Sequence, residues 1–129
     1  MYIVSNEEEV ICKGIVDSAF QVHKFLGPGF LERIYESSFC FELRDRGLNY
    51  MRQTEMPVIY KNHDLNETMR LDVLVDNKII CELKALEQVN PVWEAQVLSH
   101  LKMSGLHVGF LINFNVRYIK GGIRRYSLK

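Results

Sequence analysis

RLDVLVDNKIICELKAL, residues 70–86, is the stretch whose reading decides the fold. Two apolar runs rich in Val, Ile and Leu flank the polar Asp76-Asn77-Lys78, the pattern of an antiparallel hairpin. Asp72, Glu82 and Lys84 interrupt those runs with charge. Side chains alternate along a strand, so Glu82 and Lys84 share one face while Leu83 points to the other. Unpaired charge on a buried sheet costs several kcal/mol, so these residues imply either an ion-pair network that ties the hairpin together or a bound metal ion.

Register separates those readings. A two-residue loop at Asp76-Asn77 would pair Asp72 with Cys81 and send Glu82 to the opposite face. A three-residue loop, Asp76 to Lys78, pairs Val75 with Ile79 and sets Asp72 opposite Glu82, within the roughly 5 Å at which cross-strand side chains meet. Asn77 tolerates the left-handed conformation such a loop needs, so the three-residue register, or an equivalent bulge, is expected.

Outward from the hairpin, Ile11, Ile15, Ala19, Val22 and Leu26 recur at helical spacing, with Ser5 or Asn6 as cap and Glu7 to Glu9 at the positive end of the dipole. This predicts a helix over 7–26, stopped by Gly27-Pro28-Gly29. A second helix is expected over 30–46, closed by Gly47. Strands are expected over 52–61, 67–75 and 78–84, with a turn at Asn62-His63-Asp64. Pro91 suits the first position of a helix over 91–104, ended by Gly105, and HVGFLINF (107–114) reads as a buried strand. Residues 122–128 suit an edge strand. The order gives an α/β fold: a mixed sheet, made of a three-strand meander plus a buried strand, flanked by helices.

The 129 residues, 47% hydrophobic and 25% charged, suit a single domain over 1–129 with its own core. The acidic start MYIVSNEEEV has no leader-like pattern, and no run approaches the about 18 apolar residues needed to cross a bilayer, so a soluble, cytoplasmic protein without membrane contact is expected. Cys12, Cys40 and Cys81 are scattered among apolar residues and read as reduced core thiols. A net charge of zero argues against a protein that simply coats nucleic acid. The basic tail, with Arg117, Lys120, Arg124, Arg125 and Lys129, reads either as solvated surface or as a phosphate-contacting rim.

Asp72 with Glu82-Leu83-Lys84 resembles the signature of the PD-(D/E)xK nuclease superfamily. GFLERIYE (29–36), with Gly29, Glu32 and Tyr35, is similar to the GxxExxY motif of one small bacterial family within it. The likeness extends through VHKFLGPGFLERIYE, EMPVIYKNHDL, EAQVLSHLKMSGLHVGFLINF and IRRYSL in the same order. It implies a restriction-endonuclease-like core and a metal-dependent nuclease that hydrolyses phosphodiester bonds of nucleic acid, foremost DNA. The alternative it leaves is a catalytically weak nuclease-fold module for nucleic-acid or protein binding. The small size leaves room for work as a homodimer or beside a partner protein.

Residue by residue, the resemblance implies that Asp72 and Glu82 hold Mg2+ or Mn2+, with the Leu83 backbone carbonyl as a further oxygen donor. Lys84 would position or activate the attacking water, and Glu32 would supply the extra helix-borne acid. Gln96 matches the glutamine of the Q-x-x-x-Y motif in RecB-like members, but the fourth position is His100 instead of Tyr, so His100 is not expected to be an equivalent. His23 reads as a satisfied helix-end histidine, Tyr35 as a packing residue whose hydroxyl finds a local partner, and Trp93 as core or interface.

Overall fold

A computed structural model describes residues 2–128, so Lys129 lies outside the described residues. Its elements are α1 (Asn6–Leu26), α2 (Glu32–Asp45), β1 (Tyr50–Tyr60), β2 (His63–Val75), β3 (Ile79–Lys84), α3 (Val92–Ser104), β4 (Val108–Asn113) and β5 (Ile123–Ser127), with a short 3-10 turn before β5. The sheet runs β1-β2-β3-β4-β5, with β3 and β4 parallel and every other neighbouring pair antiparallel. It is the α/β architecture expected, with the hairpin at its centre and β5 at an edge.

α1 begins with a capping box: Ser5 accepts from the Glu8 amide, and the Glu8 carboxylate reaches back to the Ser5 amide. α1 and α2 cover one face, where Ile15, Phe39 and Leu43 pack on Val73, Val75, Cys81 and Leu83. α3 covers the other, laying Trp93, Val97 and Leu101 on Leu74, Ile80 and Leu111. Gly109 permits this close approach, because a Cβ there would stand 3.0 Å from Val97 Cγ1.

The central hairpin has the three-residue register. Val75 pairs with Ile79 and Val73 with Cys81, Asp76 and Asn77 are both left-handed, and the Lys78 amide closes the loop on the Val75 carbonyl at 2.9 Å. The first turn differs from expectation. It is the two-residue Lys61-Asn62, not Asn62-His63-Asp64, so β2 starts at His63. Both turn residues have positive φ, the geometry of a type I′ turn, which Asn suits and Lys conceals. Pro91 lies at the cap position instead of inside α3, and Gly105 ends the helix left-handed as expected.

Tyr35 is fully buried, stacked on Phe114 with ring centroids 4.7 Å apart. Its hydroxyl donates to the Gly27 carbonyl at 2.5 Å and accepts from the Phe30 amide at 3.1 Å, stitching the Gly-Pro-Gly turn to α2. His23 is likewise satisfied by the Val116 carbonyl at 2.7 Å. Tyr35→Phe should therefore cost about 1 kcal/mol, because two partly buried backbone groups lose their partner; denaturant unfolding reads the loss directly.

Candidate active site

The parallel β3–β4 pair and the crossover through α3 place the site residues. The Lys84 carbonyl accepts from the Phe114 amide at 2.9 Å, so the end of β3 is fixed to β4. Backbone groups alternate sides along a strand, so the Leu83 amide and carbonyl both turn to the β2 side. The ladder between β2 and β3 stops at Val73 and Cys81, and beyond it the Leu83 amide donates to Asp72 Oδ2 at 2.9 Å. The Asp72 carboxylate thus occupies a place in the sheet edge that a backbone carbonyl would ordinarily take.

One residue past the last ladder pair, Val73 with Cys81, Asp72 and Glu82 come close enough for the charge of one to act on the other. Glu82 is 6% exposed. Burial, and next the neighbouring Glu82 charge, push the Asp72 carboxyl up to about 7, with the Leu83 amide pulling the other way and Glu32 adding to the rise. The Glu32 carboxyl, on the first turn of α2, is also raised. Desolvation is its main cause, opposed by Lys84 and reinforced by Glu36 and Glu82, although Glu32 as a whole residue is exposed. Asp72, Glu82, Glu32 and Lys84 therefore share one electrostatic neighbourhood, drawn from β2, β3 and α2.

α3 supplies the opposite wall. Lys84 Nζ lies 5.6 Å from the Trp93 ring centroid and makes a long 3.5 Å contact with Gln96 Oε1. His100 Nδ1 lies 2.6 Å from Glu82 Oε1. The match is metrical: residues two apart on a strand are separated by about 6.6 Å and residues four apart on a helix by about 6 Å, so Glu82 and Lys84 meet His100 and Gln96 as α3 runs back along β3. His100 was discounted in the sequence because it is not a tyrosine, and the signal that finds it is this pairing of i,i+2 on a strand with i,i+4 on the helix above. Among the described residues Lys84 makes no salt bridge, so the three charges do not form an ion-pair network.

The oxygen donors suit a hard divalent cation. Asp72 Oδ2 is held by the Leu83 amide and Glu82 Oε1 by His100, which leaves one carboxylate oxygen on each residue, with the Leu83 carbonyl turned to the same side. Magnesium retains several waters and binds through one or two carboxylates, so this set fits it. Among the described residues no three His, Cys, Asp or Glu side chains converge as ligands on their own. Glu32 stands in the neighbourhood of the acid pair without completing such a trio.

The basic residues divide. Arg124 pairs with Leu111, which pairs with Glu82, so Arg124 lies on the acid-pair row two strands away, about 10 Å along the sheet. It borders a groove of about 490 Å³ formed with Asn90, Pro91, Glu94, Leu111 and Tyr126. Arg125 points to the other face, where both its terminal nitrogens bind the Glu9 carboxylate at 3.1 and 2.6 Å. Arg117 lies over the Tyr118 ring and Lys120 is exposed, both around a separate surface hollow with Phe20 and His23.

Compared with known protein families, the chain matches the profile described as the PD-(D/E)XK nuclease superfamily over residues 9–126. Comparison with curated proteins and with solved structures gives no match.

Proposed function

The chain belongs to the PD-(D/E)XK nuclease superfamily, and from that premise we propose that it is a metal-dependent phosphodiesterase acting on nucleic acid, DNA in the first instance. The observation that carries this reading is the Asp72–Glu82 pair, Glu82 buried and Asp72 half-buried, kept at close range with no lysine or arginine paired to either acid among the described residues. Mg2+ or Mn2+ held by Asp72, Glu82 and the Leu83 carbonyl would acidify the attacking water and neutralise charge building on the phosphate.

The chain's own groups divide the remaining work. Lys84, projecting from the same strand face as Glu82 and steered by Trp93 and Gln96, orients the attacking water and stabilises the equatorial phosphate charge. Gln96 steadies Lys84 through its side-chain oxygen, and Glu32 would supply a further carboxylate beside the acid pair, able to take the proton released by the attacking water. His100 fixes one oxygen of Glu82, which would leave the other available to hold an ion. Arg124 is the basic residue placed to receive a phosphate further along the strand. Arg117 and Lys120 lie around a separate hollow and the Arg125 guanidinium is bound to Glu9 on the other face, so their contact with nucleic acid requires a substrate that wraps the edge of the domain. Three free, buried cysteines and the lack of any membrane-crossing helix among the described residues support a cytoplasmic setting.

The assay is cleavage of labelled linear, circular and single-stranded DNA and RNA with Mg2+, Mn2+ or chelator. Metal-dependent products are expected, lost in Asp72→Asn. Binding of metal and nucleic acid without cleavage of any substrate would replace this reading with that of a nuclease-fold binding module.

A further inference from the structure

Asp72 reaches its place through a distortion of β2, and that distortion has a cause in β1. In a regular strand Leu71 and Val73 would lie on one face. Here Leu71 packs with Trp93 and Leu101 on the α3 side, whereas Val73 packs with the α1–α2 side. The faces exchange at Asp72. Across from it in register stands Gln53, between the pairs Arg52 with Val73 and Thr54 with Leu71, and Gln53 has φ +51 inside a strand. A glutamine in the left-handed region costs energy that its surroundings must supply.

The surroundings do so from α2. Glu36 is 7% exposed, and both of its oxygens are spent on β1: Oε1 accepts from Gln53 Nε2 at 2.6 Å, and Oε2 accepts from Arg52 Nε at 3.0 Å. Arg52 also donates to Ser37 Oγ at 3.1 Å. A buried carboxylate bound this fully holds its partners firmly. Glu36 lies one helical turn beyond Glu32, so the contact that pins β1 also fixes the helix face from which Glu32 approaches the acid pair.

We propose that Glu36 and Gln53 form a positioning latch, in which the Glu36 carboxylate holds the left-handed kink at Gln53 and the kink turns Asp72 out of the ladder onto the Leu83 amide beside Glu82. Neither residue touches the acid pair's free oxygens, and both act through Asp72. The functional meaning of the latch rests on the reading of Asp72 and Glu82 as ion ligands. The geometry of the latch does not.

The test uses backbone amide hydrogen exchange and Mn2+ titration of the intact chain in wild type, Glu36→Ala, Glu36→Gln, Gln53→Val and Gln53→Gly. Valine is excluded from positive φ by its branched side chain, whereas glycine adopts it freely. Gln53→Val and Glu36→Ala should speed exchange at the Leu83 amide at least tenfold and weaken Mn2+ binding about tenfold, while the Phe114 amide, bonded to the Lys84 carbonyl, stays protected. Gln53→Gly should keep both properties within about threefold, and Glu36→Gln, which still offers an oxygen to Gln53, should stay closer to wild type than Glu36→Ala. Unchanged Leu83 exchange and Mn2+ affinity in Gln53→Val would overturn the proposal. So would equal losses in Gln53→Gly and Gln53→Val, including failure of both to fold, since the kink would then not be what matters. If wild type binds no Mn2+, the ion-site reading fails, and the Leu83 exchange pattern still decides the latch.

Discussion

Lys84→Ala should lower the rate of metal-dependent cleavage by about 10²–10³-fold while leaving the fold intact. Removal of one preorganised group that stabilises transition-state charge typically has an effect of this size. The structural cost is small, because Lys84 makes no salt bridge among the described residues and its contact with the Trp93 ring is partly exposed. Such a cation–π contact contributes about 0.5–1 kcal/mol. The loss should fall on kcat, with substrate binding little changed, since the ammonium does its work as charge develops. Single-turnover cleavage and thermal melts on the same preparation separate the two effects. Wild-type rates in Lys84→Ala would remove this residue from the mechanism.

Much of this arrangement was legible in the sequence because it rests on periodicity. The alternation of β3 fixes which of its residues share a face, and a loop of three instead of two, or an equivalent bulge, lets Asp72 meet Glu82; the pairing of Val75 with Ile79 shows the loop of three. The capped α1 and the glycine-ended α3 were readable for the same reason: local side-chain chemistry specifies their ends.

What escaped the reading depends on contacts between distant elements. Lys61 carries no turn signal, so the sequence does not mark Lys61-Asn62 as the first hairpin turn, although Asn62 is suited to positive φ. Glu36 shares a helix stripe with Cys40 and Leu43, which marks it as facing inward, but only the packed structure shows that Arg52 and Gln53 meet it there. Arg125 looked equivalent to Arg124, yet one-residue alternation in β5 sends it to Glu9 on the other face.

The Asp72–Glu82 pair also sets a stability profile. In the folded chain the Asp72 carboxyl holds its proton up to about 7, against an ordinary value of 3.8, so between those limits the folded state binds more protons than the unfolded one. Its contribution to stability is therefore fully present below about pH 4 and is lost as pH rises through about 7. At about 1.4 kcal/mol per pH unit, the difference of 7 − 3.8 ≈ 3.2 corresponds to about 4 kcal/mol, an order-of-magnitude figure for one buried carboxyl. A bound cation reverses the preference, because it needs the carboxylate deprotonated, so its affinity should rise over the same interval.

The most direct test of the acid pair as an ion site is a set of thermal melts at pH 8, wild type and Glu82→Gln, each with magnesium and with chelator. An ion that binds only the folded state at about 100 times its Kd adds about 2.7 kcal/mol, a rise of several degrees in a domain this size. Wild type should show that rise. Glu82→Gln should lose most of it, and with chelator it should be at least as stable as wild type, because the repulsion on Asp72 is gone while the Gln oxygen can still accept from His100. Destabilisation of Glu82→Gln by the same amount with and without magnesium would contradict the account, showing that Glu82 serves the packing of the sheet and not an ion.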